Sequence, residues 1–545
     1  MIWHPPSLPM LVVALVAVLG TGAIGASAQD IEAAGEVHGV EPPDAYFEKI
    51  REDPNFFELE RGWSQRPKLA SFDEQPLSGE LPILVIQFLF ADSPEPDIAP
   101  AEVQRTLFDG PSEYGTLSGY YDEVSGGELT VDGTVTPWIR TSMTMEQAVG
   151  SNHGLGARSQ IGEVLKEALE AADTLVDWER YNNDGPDGVP NSGDDDGYVD
   201  AVAFQFIEVA ASCGGPAVWP HRSTITNRTG EPFETSGRTP EGEPILVDDY
   251  IIQSTVTCQG ELQRPTTIAH EVGHVLGLPD LYDRSEGTSP GERRWVVGCW
   301  SLMAAGSWGC GDPTAPPSAK RPPHMGAWEK VELGWAPVKD VGAVEDEEFV
   351  LDPVRQGGSI LRVPLTPSEH YLVEYREQEG FDADLPVGGV LIYHVDTNRP
   401  IMPPDGDPRT YRVALVEADG NDALRLTASE GGNRGEAGDA FGAEALDHLS
   451  LATQPPTRLK GRGYAPVTFH SINVDEEEAE ARIRLTTVPI ERDRLLEPFL
   501  KTGGESLTPE EKELLDGFGS ETGSLNLGDL RRYLLDVERS GPPEP

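Results

Sequence analysis

His270-Glu271-Val272-Gly273-His274 restricts this chain more than any other stretch of its 545 residues. Residues four apart lie on one face of a helix, so two imidazoles at that spacing can share one cation. Glu271 stands one step round, where its carboxylate can reach a water on that cation without replacing it. The flanks agree with a helix. Thr266 and Thr267 follow Pro265 as a start, Ile268, Val272, Val275 and Leu276 are apolar around the polar trio, and Gly277 is a fitting stop. A surface helix with two unrelated histidines would need neither the apolar frame nor the glutamate.

A zinc ion that catalyses takes three protein ligands and keeps a fourth position for water. His270 and His274 supply two, and the third is expected just past the helix, where Gly277 allows the chain to turn back. Asp280 is the leading candidate and Asp283 the reserve; a glutamate far along the chain remains an alternative. In such a site Glu271 accepts the proton of the attacking water and delivers it to the leaving amine. That is the chemistry of a zinc metalloendopeptidase acting on protein or peptide substrates. Tyr282 and His221 are candidates for a further donor to the oxyanion.

Length alone calls for two to four domains. Residues 1–28 read as a secretory signal peptide: Leu11 to Ile24 is apolar and short, and Ala26-Ser27-Ala28 suits cleavage. The region before it has no Lys or Arg, and a membrane anchor is the rival reading. No other segment reads as a membrane span, so the mature chain is expected to be secreted, soluble and monomeric. The formal net charge of −52 argues against nucleic acid and anionic membranes as partners. Cys213, Cys258, Cys299 and Cys310 are few and even in number, as disulfides in an exported protein would be. The expected pairs are Cys213 with Cys258 and Cys299 with Cys310, with two other pairings open.

Residues 29–80 are acidic and weakly periodic, and after a signal peptide they read as a pro-segment. Leu81 to Phe90 is a buried strand by length and β-branched content, and Tyr198 to Ile207 is another. Residues 103–125 read as a helix, and Ser159 to Leu175 has helical spacing. Strand, helix, strand and motif helix give an α/β (α+β) catalytic domain over 81–335. From 336 to 488 short alternating runs punctuated by Gly and Pro predict a mostly antiparallel β-rich domain. Residues 489–545 read as a linker followed by a helix–loop–helix.

A second constellation precedes the strand at 198. Asn182, Asp184, Asp187, Asp194, Asp196 and Asp200 place hard oxygen ligands among glycines, the pattern of a structural calcium loop. So many carboxylates in a short turn repel unless a cation bridges them. Asp419, Asp422 and Asp439 are possible further cation ligands, though ordinary turns account for them equally.

The run His270 to Asp283 with Trp300-Ser-Leu-Met-Ala-Ala-Gly-Ser-Trp308 resembles the immune inhibitor A family of secreted bacterial metallopeptidases. Tyr120 to Gly127, Trp219 to Arg222, Leu333 to Trp335, Tyr371 to Arg376 and Val416 to Gly420 extend the likeness over about residues 80 to 485. The resemblance implies a zincin, metzincin-like catalytic fold with Met303 in the turn beneath the metal, and a removable, latency-conferring segment before 80. Phe518 to Asp529 resembles half of a dockerin-type repeat, so a small C-terminal helical hairpin is expected. The rival to a peptidase is an extracellular binding module that zinc and calcium merely staple; an intact Glu271 argues against it, because a structural zinc has no use for a base.

Overall fold

The computed structural model describes residues 62–65, then 76–487 apart from 157, 284–292, 316, 402–409, 443–445, 451–452, 461–464 and 466. Beyond these it describes the helix Arg492–Leu500, residues 525–532 and isolated positions. The expected signal peptide, most of the expected pro-segment and most of the helix–loop–helix fall outside the described residues.

Nine buried positions in a row, all apolar but Gln87, make β1 (Gly79–Leu89) a strand covered on both faces. It lies at the heart of a six-stranded sheet with β2 (Leu129–Val135), β3 (Ile139–Arg140), β4 (Val202–Phe206), β5 (His221–Thr224) and β8 (Asp249–Ser254). The path runs β2-β1-β4-β8-β5, parallel except for β5, and β3 continues along the β1 edge beyond β2. Strand periodicity sorts the side chains of β1 into two cores. Leu81, Ile83 and Val85 join Tyr120, Tyr121, Ile268, Ala269 and Val272 on one face. Leu84, Ile86 and Phe88 meet Val164, Leu165, Ala168 and Leu169 of the helix Ile161–Ala172 on the other. The motif helix therefore backs one face of the sheet. β6 (Phe233–Arg238) and β7 (Pro244–Val247) form a separate antiparallel pair.

The single helix expected over 103–125 is instead two pieces. Pro100–Gln104 runs into a wide turn through Asp109, and Leu117–Ser125 starts afresh with the Thr116 side chain accepting the Gly119 N–H. Gly110, Pro111 and Gly115 between them break the helix, because proline lacks the amide proton a helix needs and glycine is a poor helix former. The strand expected from 198 begins only at Val202; before it Tyr198 makes one isolated bridge to Leu246.

After residue 336 come β9 (Val338–Asp340), β10 (Glu347–Leu351), β11 (Ile360–Pro364), β12 (Glu369–Arg376), β13 (Gly389–Asp396), β14 (Val413–Leu415), β15 (Thr468–Asp475) and β16 (Glu480–Thr486). They make a five-stranded sheet, β14-β13-β12-β11-β9, and a three-stranded sheet, β10-β16-β15, antiparallel but for the β9/β11 pair. Alternation again decides what each face meets. Leu372, Leu391, Tyr393 and Val395 enter the core that holds the motif helix. Tyr371, Val373, Val390 and Ile392 pack with Phe349, Phe469, Ile483 and Leu485 of the smaller sheet. The five-stranded sheet is thus a floor shared by both halves. The molecule is a mixed α/β structure, and no helix among the described residues is long and apolar enough to cross a membrane.

Candidate metal centre

The motif helix spans Thr266–Val275 and buries Ile268, Ala269, Val272 and Val275 against the sheet, which fixes its rotation. It ends as the sequence predicts: Gly277 takes φ 80°, and the N–H groups of Gly277 and Leu278 bond the carbonyls of His274 and Gly273. The chain then reverses and delivers Asp280. His270 Nε2 lies 3.1 Å and His274 Nε2 3.5 Å from Asp280 Oδ1. One ligand atom from each of the three residues stands within 4.8 Å of the other two. His270 and Asp280 are buried.

The donor set fits a zinc ion on its own chemistry. His270 Nδ1 is 2.9 Å from the Leu302 carbonyl and His274 Nδ1 2.8 Å from the Leu278 carbonyl. A carbonyl can only accept, so each Nδ1 carries the proton and each Nε2 presents its lone pair toward Asp280. Burial disfavours a charged His270, but the hydrogen bond and charge of Asp280 outweigh it and push its pKa up to about 9. A proton shared by imidazole and carboxylate is the competitor that a cation must displace. Glu271, half-buried beside His270, completes the polar face.

Below the helix lies the turn Ser301–Gly306. Ser301 Oγ accepts the Met303 N–H at 3.0 Å and itself bonds Glu329, which is fully buried. The turn holds the site by two carbonyls: Leu302 O meets His270, and Met303 O accepts the Leu281 N–H at 2.8 Å, next to Asp280. Met303 packs so closely beneath Gly273 that a Cβ there would collide with its sulfur. The glycine between the two histidines is therefore a packing requirement.

Asp283, the reserve ligand, is turned away: it is buried, its N–H bonds the Arg294 carbonyl, and Arg294 Nη1 stands 3.4 Å from its Oδ2. Tyr282 stacks beside His270 with ring centroids 6.5 Å apart, and the Arg293 guanidinium lies over the Tyr282 ring, 4.6 Å from its centroid. His221 does not belong to the site. Its ring is enclosed on β5 by the Trp219 carbonyl, the Tyr250 hydroxyl and Arg228, and burial pulls its pKa down to about 3.

Two residues that steady the helix were given no role by the sequence. Tyr121 Oη donates to the Ala269 carbonyl at 2.7 Å, and Arg222 Nη1 donates to the His274 carbonyl at 2.8 Å. Arg222, buried and paired with Asp249, puts a cation at the helix C-terminus, where the dipole favours one. Both lie in the blocks 120–127 and 219–222, but nothing local in the sequence says that they reach this helix.

The disulfides are Cys213–Cys258 and Cys299–Cys310, as expected; the second brackets the Met303 turn. In the acidic loop the carboxylates serve the backbone. Asp184 accepts the Asp196 N–H, Asp194 the Asp187 N–H, Asp196 the Tyr198 N–H and Asp200 the Asn183 N–H. Asn182 Oδ1 accepts the Gly197 N–H and Asp187 caps Val189. Asp195, which the ligand spacing skips, accepts from both Gly185 and Ser192. Asp200 is half-buried, and desolvation followed by the charge of Asp184 holds its carboxyl well above the usual range. Further on, Asp529 accepts the Asn526 N–H as a helix cap.

Comparison with known proteins gives this geometry a setting. Residues 97–336 match the family model described as immune inhibitor A peptidase M6, catalytic domain. The chain is 30% identical over 249 residues to "Immune inhibitor A" of Bacillus thuringiensis subsp. alesti, covering 43% of this chain and 35% of that protein. It is 30% identical over 229 residues to "Pre-pro-metalloprotease PrtV" of Vibrio cholerae serotype O1 (strain M66-2), covering 38% of this chain and 24% of that one. The matches thus take in about a third and about a quarter of these relatives' lengths. The resemblance is borne out over 97–336, a segment that contains His270, Glu271, His274, Asp280 and Met303, while the blocks 371–376 and 416–420 lie beyond the matched family domain.

Proposed function

We propose that this chain is a zinc-dependent endopeptidase that uses Glu271 as general base, with His270, His274 and Asp280 as the protein ligands. One observation carries the reading: three buried or half-buried donor groups of the right chemistry converge after the helix stop, with Glu271 beside them. A zinc ion bound there supplies Lewis acidity toward a water and the scissile carbonyl. The chain's own residues do the rest. The Leu302 and Leu278 carbonyls hold the two imidazoles in one tautomer and one orientation. Glu271 takes the proton of the attacking water at its carboxylate and passes it to the leaving nitrogen. The Met303 turn, resting on the five-stranded sheet, keeps His270 and the 280 segment from moving apart.

Export, latency and a calcium-braced loop form the wider part of the proposal. The relatives' printed names, one of them a pre-pro-metalloprotease, favour an exported precursor. Trp63, within the expected pro-segment, is buried in the core that holds the motif helix, so release of that segment would unpack one support of the helix. Asp200, half-buried and crowded by the charges of Asp184 and Asp196, favours a calcium ion as the relief for the loop. Casein digestion with and without chelator, on the wild type and Glu271→Gln, tests the core of the reading. Activity that survives in Glu271→Gln would remove Glu271 as base; activity indifferent to chelator would remove the metal.

A further inference from the structure

Glu417, Asp419 and Asp439 form the other group of three metal-ligating side chains among the described residues, with one oxygen of each within 4.8 Å of the other two. The cluster lies far along the chain from the acidic loop, in the connection after β14. Acidic clusters on a surface are ordinary, but here two of the three carboxylates are inside the protein: Glu417 is 2% exposed and Asp439 is fully buried. Each spends one oxygen on the protein. Glu417 Oε2 accepts the Leu424 N–H at 3.2 Å. Asp439 Oδ2 accepts the Trp300 indole N–H at 2.7 Å and the Glu436 N–H at 2.9 Å. Glu417 Oε1 and Asp439 Oδ1 are buried and receive no hydrogen bond from the described residues. An ionised oxygen in that condition is costly unless a cation or a proton meets it.

The nearby cation does not meet this need. Arg425 gives its guanidinium to Asp422 at 3.1 Å and to the Leu415 carbonyl at 2.8 Å. Asp419 is held from the solvent side by Asn421, whose N–H and side-chain amide bond its two oxygens at 3.1 and 2.9 Å. We propose that Glu417, Asp419 and Asp439 bind a calcium ion, with the partnerless oxygens of Glu417 and Asp439 as its inner ligands. An all-oxygen, all-carboxylate donor set without imidazole or thiolate selects a hard cation, and three negative charges suit a divalent one. Burial and mutual repulsion, which otherwise push Glu417 up to about 8 and Asp439 up to about 7, are relieved by the ion.

The placement gives the ion a purpose. Trp300, bonded to Asp439, directly precedes the Ser301–Gly306 turn beneath the zinc ligands, and its carbonyl accepts Arg376 Nη1 at 3.0 Å. The Cys299 N–H bonds the Arg434 carbonyl of the same connection. A calcium ion at Glu417 and Asp439 would therefore clamp the connection after β14 to the floor of the metal centre.

Terbium tests this directly, because Tb3+ takes calcium sites and emits when a nearby indole is excited, and Trp300 touches a ligand. The full-length chain, stripped with chelator and reloaded with zinc, is titrated with Tb3+ and then Ca2+. The expected result is indole-sensitised emission that Ca2+ displaces and Mg2+ displaces less well. Asp419→Asn, at an exposed position that the fold tolerates, should weaken Tb3+ and Ca2+ binding about tenfold, since affinity follows ligand charge count. Glu417→Gln should abolish the signal. Asp196→Asn, in the separate acidic loop, should leave it in place. Wild-type emission in both Asp419→Asn and Glu417→Gln would overturn the site, as would its loss in Asp196→Asn alone. A wild-type chain that binds no Tb3+ or Ca2+ would show that a shared proton fills the cluster instead.

Discussion

The motif helix and the acidic loop at 182–200 both carry side chains of metal-ligating type, yet those side chains behave differently. On the helix, backbone geometry places His270 and His274 on one face, and the Leu302 and Leu278 carbonyls lock their rings toward Asp280. In the loop, Asp184, Asp187, Asp194, Asp196 and Asp200 turn to backbone N–H groups, and no three of them gather among the described residues as the helix set does. A regular helix converts spacing into convergence by itself. A glycine-rich loop leaves its carboxylates free to serve its own amides, and an ion must compete with those bonds to reorganise them.

The sharpest way to break this contrast is at the helix. Glu271→Gln should keep zinc and lose about a thousandfold in kcat/KM, measured on a quenched peptide alongside metal content. Asp280→Ala should weaken zinc at least about a hundredfold in chelator competition, whereas Asp283→Ala, facing Arg294, should leave zinc affinity alone. Equal effects at 280 and 283 would mean that the ligand assignment is wrong. Gly273→Ala should cost about 2 kcal/mol in denaturant unfolding through collision with Met303, while Met303→Leu should stay below about 1.5 kcal/mol. In the loop, Asp196→Asn should weaken one calcium-binding step by about tenfold, near 1.4 kcal/mol, with little change in peptide turnover. A large loss of turnover there would erase the distinction drawn between the two regions.

What the sequence made legible follows the same division. The helix, its stop at Gly277, Asp280 three residues on and the first strand depend on local spacing and could be read directly, whereas the disulfides, 11 and 45 positions across, are one of three pairings that the sequence leaves open. The split at Gly110-Pro111 was written in the residues too, but apolar spacing on either side masks it. Arg222 and Tyr121 could not be found this way, because their partners on the motif helix are 52 and 148 positions away. The alternation of β12 and β13 predicts strands without saying that one face joins the core of the metal centre. Asp195 illustrates the loop's difficulty: ligand spacing passes over it, yet it caps two amides.

The central claim is that two imidazoles and one carboxylate hold a single zinc with one corner left open. X-ray absorption at the zinc edge of the purified, metal-replete protein tests it most directly. The account predicts two nitrogen ligands near 2.0–2.1 Å, carboxylate oxygen from Asp280 and one exchangeable light ligand, with the Asp280 contribution lost in Asp280→Ala. A sulfur ligand, four protein ligands, or a spectrum unchanged by that substitution would contradict it.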